Sequence, residues 1–362
     1  MPDRLAVLRE RIAELGLDAI VITHPSNRYY LTGYTGDDIP PNESGGHVIV
    51  TADRAVLVTS TVNSEQARQQ ASGFEVFDRV YGLTEADATL LTEMGVRRVG
   101  FEDKAILYQD HRTLTERLGD GVELVPVGTL VDDMRVIKTS DEITKIARAI
   151  EVTDRAFEQV AATIQAGDRE RDIAWRLESA MRELGASGPS FPTIVASGPN
   201  AALPHHEPGD RQIQPGEPIV IDMGARVDGY CADLTRTVWV GEPDSRLREI
   251  YPIVLRALEA AEAGLRAGIT GREGDALARD VIEQAGYGEA FGHSLGHGVG
   301  VRVHEGPALS KRNEEPLPAG SVVTIEPGIY IPGWGGVRIE DVGVLEDKGI
   351  RILTRAAKRS ID

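Results

Sequence analysis

The chain of 362 residues lacks the features of several common classes. It has one cysteine, Cys231, so no internal disulfide can form, and this usage fits a reducing cytoplasm. Cys231 itself reads as a small core residue, although strand parity also places it on the face of Asp233. No run of about twenty apolar residues occurs, so no membrane span is expected. The opening MPDRLAVLRERIAELG has the pattern of an amphipathic helix carrying acids and resembles neither a signal nor a transit peptide. Basic residues are outnumbered, 39 against 57 acidic, for a formal charge of −18, and no basic run appears. That excludes the phosphate-binding surface which a nucleic-acid partner requires. What remains is 41% hydrophobic and 27% charged, the balance of a globular protein long enough for two domains.

Residues 1–130 alternate helix and strand. A helix over 3–15 is followed by strands over 18–23, 47–51 and 55–60. A helix over 84–94, a strand over 97–103, a helix over 108–118 and a strand over 122–127 complete an α/β domain with a mixed sheet. No cluster of metal-binding or nucleophilic residues lies in it, which leaves it packing, substrate gating or dimer contacts. In VGTLVDDMRVIKTSDE, Thr139 or Ser140 ahead of Asp141 and Glu142 is a helix start. The long helix that follows opens a second domain, 131–362, and its charged residues read as a solvated face.

The second domain reads as an internal repeat. IQAGDRERDIAWRLESAMRELG (164–185) and LRAGITGREGDALARDVIEQAG (265–286) align at an offset of 101 residues, and PGEPIVIDMG (215–224) aligns with PAGSVVTIEPG (318–328) at 104. Asp222 then falls on Glu326. Each half reads helix, helix, strands, hairpin, so a pseudo-two-fold domain would bring both hairpins to one cleft.

Each hairpin carries two acids among apolar strand residues. Asp228-Gly229 is a two-residue turn signal; pairing 227 with 230 sets 222 opposite 235 and makes Asp233 the diagonal neighbour of Asp222. A loop centred on Gly333 sets Glu326 opposite Glu340. Buried carboxylates are costly unless paired or metal-bound. Two divalent cations match the charge of four carboxylates, and a dinuclear site of this kind activates a water and polarises a carbonyl. With one imidazole from His297, the oxygen-rich set suits Mn²⁺ or Co²⁺, while Zn²⁺ and Fe²⁺ stay open. His293 and His304 flank His297. One of His205 and His206 is expected at the site, the other as an exposed neighbour. Arg338, two residues before Glu340, is either an orienting partner for a ligand carboxylate or a structural ion pair.

Asp-x10-Asp, GHSLGHGVG, VHEGP, TIEPGIY and VRIEDVG, in this order, resemble the pita-bread metallopeptidases: Xaa-Pro dipeptidase (prolidase), aminopeptidase P and methionine aminopeptidase. NRYYLTGYTG (27–36) is similar to the creatinase-type N-terminal domain that precedes the catalytic domain in the first two. The resemblance implies a creatinase-type α/β domain followed by a pseudo-two-fold pita-bread catalytic domain. It implies that Asp222 and Asp233 chelate one metal, that His297 and Glu326 bind a second, and that Asp233 and Glu340 bridge them. Glu326 would also shuttle a proton. His205 and His304 match histidines that contact substrate and stabilise the tetrahedral intermediate, His293 one that lines the proline end, and Arg338 the arginine behind the second hairpin. The implied reaction is hydrolysis of the bond before proline in dipeptides or short peptides, by a homodimer.

Methionine aminopeptidase usually lacks a domain like 1–130, creatinase works without metal, and non-catalytic pita-bread binding modules typically lose ligands that are all present here. Aminopeptidase P, acting on longer peptides, is the alternative to a dipeptidase. Arg312, fourteen residues before Glu326, matches a substrate-carboxylate arginine of some prolidases, or else is a loop charge in SKRNEE. Phe191, in SFPTIVASG, stands where many eukaryotic prolidases carry a tyrosine.

Overall fold

The computed structural model describes residues 4–36, 38 and 43–361. The chain divides into two compact units, Met1–Arg135 and Val136–Asp362.

The first unit is built on a six-stranded mixed sheet. Its order is Glu75–Arg79, Ala55–Ser60, His47–Thr51, Ala19–Ile22, Arg98–Phe101, Glu123–Pro126. The two strands His47–Thr51 and Ala19–Ile22 are buried along their whole length, because helices cover both faces of the sheet and leave no solvated side for alternation. The first helix runs Arg4–Glu14, residue 3 of its expected span lying outside the described residues. The helix Ser64–Gln70 and strand Glu75–Arg79 carry no pattern in the sequence that announces them. SEQARQQ is polar on nearly every side, and EVFDR is an edge strand with no fully buried residue. NRYYLTGYTG forms most of the helix Pro25–Thr32, capped by Gly33 in the left-handed region at φ 75°.

The second unit starts with the helix Ser140–Ala161, whose N-cap Thr139 and Glu142 form a reciprocal capping box. Two of its acids are not on a solvated face, contrary to the expectation for its charges. Glu142 is buried and accepts from the Tyr230 hydroxyl at 3.0 Å, and Asp154 is buried and accepts from Arg355 N at 2.7 Å. A strand face and the C-terminal segment cover that side of the helix, which local periodicity cannot reveal.

The repeat is visible in the backbone hydrogen bonds. Glu170 N donates to Arg211 O, Arg171 N to Gly209 O and Ile213 N to Asp168 O; at offsets of 101 and 104, Gly271 N donates to Glu315 O, Arg272 N to Asn313 O and Leu317 N to Ile269 O. Each half then sends a strand inward, Ile219–Met223 and Val322–Ile325, and pairs it antiparallel with Leu234–Val238 and Asp341–Glu346 respectively. The helices Ser245–Gly264 and Gly271–Gln284 pack on the strands of the second half through a core that includes Leu247, Tyr251, Leu258, Ile282, Ile325 and Ile339. Cys231 belongs to the buried interior, its Sγ against Val301 O, and does not line the site described next.

Candidate metal centre

The first hairpin turns at Asp228 and Gly229, both with positive φ (48° and 76°), as a type I′ turn demands. Val227 pairs with Tyr230 and Asp222 with Thr235, the register that the turn predicts. In the second hairpin Ile325 pairs with Asp341 and Gly328 with Arg338. Glu326 and Glu340 therefore fall opposite each other in the gap between two ladders. The hairpins join edge to edge: Glu340 N donates to Thr235 O at 3.0 Å, and Thr237 Oγ1 donates to Arg338 O at 2.8 Å.

One cavity of about 770 Å³ results. Asp222, Asp233, His297, Glu326 and Glu340 line it, together with His205, His293, His304, Arg338 and Phe191. Arg312 does not. It sits exposed on the turn after Ser310. The pair His205 and His206 differs from expectation. His205 is exposed at the cavity wall, whereas His206, expected as the exposed neighbour, turns inward and bonds Glu170 at 2.8 Å.

Ligand-type atoms converge in this cavity. One atom from each of Asp233, His297 and Glu340 lies within 4.8 Å of the other two. His297 Nδ1 is 3.1 Å from Gly298 O; a carbonyl only accepts, so Nδ1 carries the hydrogen and Nε2 presents its lone pair. That Nε2 lies 3.4 Å from Glu326 Oε1 and 3.6 Å from Asp233 Oδ2. These separations are long for hydrogen bonds and suit donors sharing a cation at about 2.0–2.2 Å from each. Asp222 Oδ1 and Glu340 Oε1 are buried with no hydrogen-bond partner among the described residues. Buried oxygens of this kind require a partner, and a divalent cation is one that fits.

Three hydroxyl residues hold the ligands and the side chains behind them. Thr235 Oγ1 donates to Glu340 Oε2 at 2.7 Å and accepts from Arg338 Nε at 3.0 Å. Thr324 Oγ1 accepts from His297 N at 3.0 Å and lies 3.3 Å from Glu326 Oε1. Tyr330 accepts from Arg338 Nη1 at 2.9 Å and lies 2.8 Å from His293 Nε2; since His293 Nδ1 faces Ser294 O, the phenol donates to that Nε2. Tyr330 stands inside TIEPGIY, two residues past a hairpin glycine, and that parity is the cue the sequence offers. Arg338 closes the chain on Asp222 Oδ2 at 2.5 Å.

Electrostatics agree with a cation-seeking site. Burial raises Glu326 to about 8, with Arg338 opposing and Asp222 adding to the rise. Burial first, then the neighbouring carboxylates, push Asp233 and Glu340 well above the usual range, and burial raises Asp222 against the pull of Arg338. Four acids cannot all ionise here without positive charge. Burial lowers His297 and His293 to about 4, so both imidazoles are neutral, as ligation or hydrogen-bond acceptance requires. His304, ring edge-on to His297 at 4.3 Å between centroids, is lowered too, mainly by burial.

A duplicated domain with a carboxylate-and-imidazole centre between its two hairpins fits metal-dependent hydrolysis. Residues 144–347 match the model of metallopeptidase family M24 and residues 4–137 that of the creatinase/prolidase N-terminal domain. The chain belongs to metallopeptidase family M24. It is 38% identical to an Xaa-Pro dipeptidase of Pyrococcus furiosus, with 99% of each chain covered. Among solved structures it is similar to an Xaa-Pro dipeptidase from Bacillus anthracis (TM-score 0.92, 40% identity, covering 99% of this chain and 98% of that one). It is also similar to an X-Pro aminopeptidase from Thermotoga maritima (TM-score 0.91, 38% identity, 98% of each).

Proposed function

We propose that this metallopeptidase hydrolyses the Xaa-Pro bond of dipeptides or short peptides, with two divalent ions held by Asp222, Asp233, His297, Glu326 and Glu340. The observation that carries the proposal is the convergence of the His297 lone pair and orphaned carboxylate oxygens in one cavity, in a chain so similar to Xaa-Pro dipeptidases. Asp222 and Asp233 would hold one ion, His297 and Glu326 the other, with Asp233 and Glu340 shared. Mn²⁺ is the ion we assign, and Co²⁺, Zn²⁺ and Fe²⁺ also suit the donor set. When bound, such ions supply an acidified water and polarise the scissile carbonyl.

The remaining chemistry belongs to the side chains. Glu326, an ionised carboxylate when it holds metal, would take up a proton during the reaction and pass it to the departing proline nitrogen. Thr324 keeps its Oε1 oriented. Phe191, Pro192, Pro204 and Pro208 give the cavity apolar wall against which a pyrrolidine ring packs, with neutral His293 beside them. His205 and His304, both exposed at the wall, are placed in our reading on the substrate carbonyl. Arg338 orients Asp222 and Tyr330. We assign the working form as a cytoplasmic homodimer, with residues 1–130 as the creatinase-like N-terminal domain and 131–362 as the catalytic domain.

One observation favours the second reading, an Xaa-Pro aminopeptidase for longer peptides. A dipeptidase needs a cation for the terminal carboxylate; Arg312 is off the cavity, and Arg338 is committed to Asp222, Tyr330 and Thr235. A cleavage panel after chelation and add-back of Mn²⁺, Co²⁺ or Zn²⁺ decides. Turnover of Ala-Pro over Ala-Pro-Ala is the expected result; preference for the tripeptide establishes the aminopeptidase, and no metal-dependent cleavage of either removes the proposal. Sedimentation at micromolar concentration is expected to give a dimer mass.

A further inference from the structure

We propose that Glu170, which does not line the cavity, is the positioning residue for the cavity-wall segment that carries His205. The catalytic consequence rests on the peptidase reading above; the positioning itself does not.

Glu170 opens the helix Glu170–Glu183 and its residue exposure is 0%. A buried carboxylate is tolerated only when hydrogen bonds replace its hydration. Here Oε1 accepts from Ser197 N at 2.8 Å, Ser197 Oγ at 2.7 Å and Asn200 Nδ2 at 3.0 Å. Oε2 accepts from His206 Nε2 at 2.8 Å and Gly209 N at 3.3 Å. Burial pushes the acid up, but the bonds from Ser197, His206 and Asn200 together outweigh it and hold Glu170 below its ordinary range. The group is therefore a carboxylate fully occupied by donors.

Those donors sit at both ends of one segment. Ser197 and Asn200 enter it, and His206 and Gly209 leave it. Between them Pro204, His205, His206, Glu207 and Pro208 form cavity wall. His206 faces inward to Glu170 while its neighbours His205 and Glu207 are exposed, so the inward contact sets the direction in which His205 points.

The duplicated half shows that the fold alone does not need this carboxylate. Glu170 corresponds to Gly271, and the backbone bonds to the returning strand are the same in both halves. At Gly271 an added Cβ would lie 2.3 Å from Ala308 O and 2.4 Å from Asn313 Nδ2, because Asn313 fills the space and donates to Ala308 O at 2.7 Å. One half thus closes with a neutral amide. The half whose segment bears His205 instead buries an ionised acid that bonds five groups.

Glu170→Gln keeps the volume but turns an NH₂ toward donors. Amide exchange across 198–209 should accelerate about tenfold while 302–313 stays unchanged. Metal stoichiometry by calorimetry should not change, and kcat/KM on Ala-Pro should fall about 10²-fold, the scale of a misplaced group. In a His205→Ala background the same change should add less than about twofold, since contacting or sequential effects do not add. Unchanged exchange in 198–209, or a full further loss in the His205→Ala background, overturns the proposal. If wild-type protein cleaves no Xaa-Pro peptide, the peptidase reading falls and the exchange pattern alone decides the positioning. Should Glu170→Gln not fold, His206→Ala removes one donor from the other side of the contact and should give the same pattern at smaller amplitude; unchanged exchange there is equally fatal.

Discussion

Thr235 shows how much of this site is carried by side chains with no charge. Its hydroxyl donates to Glu340 and accepts from Arg338, so a single oxygen sets the orientation of a ligand and of the cation behind it. Thr235→Val preserves shape and removes both bonds. Metal affinity, measured by titration calorimetry, should fall by about 10–100-fold while the fold survives, as for other partners that orient ligands. Glu326→Ala should abolish peptidase activity and lower the bound-metal count; near-normal rates in that variant would refute the proposed site. The ligand acids and His297 are legible in the sequence because their types and spacing ask for a cation. Tyr330, Thr235 and Thr324 are not, because hydroxyl residues serve so many ends that only the atom they reach distinguishes them. His206 escapes a local reading for the same reason: its partner Glu170 is 36 residues away.

Among the elements, the two hairpins are the most readable, since a turn of known type fixes every pair that follows it. Asp228-Gly229 and Gly333 are enough to put Asp222 opposite Thr235 and Glu326 opposite Glu340. The close backbone approach within the first hairpin is not readable. At Gly224 an added Cβ would lie 2.0 Å from Ala232 O, so the chain there needs a residue with no side chain to bring Asp222 and Asp233 onto one wall. Gly224→Ala should destabilise the protein by about 1–3 kcal/mol. Thermal unfolding checks this, and metal affinity should fall with it because backbone must move between two ligands. The helix Ser140–Ala161 is announced by its Thr139 cap, yet nothing in its charge pattern shows that Glu142 and Asp154 are buried. Charge normally marks the outer face of a helix, and the exceptions are set by what packs there.

For the whole molecule the uncompensated charge of the centre matters most, and it predicts an unusual pH response. Glu326 is raised from 4.5 to about 8 in the folded, metal-free protein, so its contribution is fully present below about 4.5 and is lost as pH rises through about 8. His293 and His297, lowered from 6.5 to about 4, act oppositely, adding stability as pH rises from about 4 to 6.5. Between about 6.5 and 8 the histidines are neutral folded or unfolded, and the acid governs. Metal-free protein should therefore lose melting temperature across that window. A divalent cation displaces the proton, so the gain in melting temperature on adding Mn²⁺ should widen with pH; a gain that narrows would contradict the site. The chain by itself determined the fold class, the repeat, the registers and the five ligand candidates, because periodicity, turn chemistry and charge balance are properties of short stretches. Folding alone decided which histidine is tied to Glu170, that Arg312 stays off the cavity lining, and which hydroxyls hold the site together. Those outcomes depend on contacts between residues tens to a hundred positions apart, where the direction of a side chain is set by its neighbours in space.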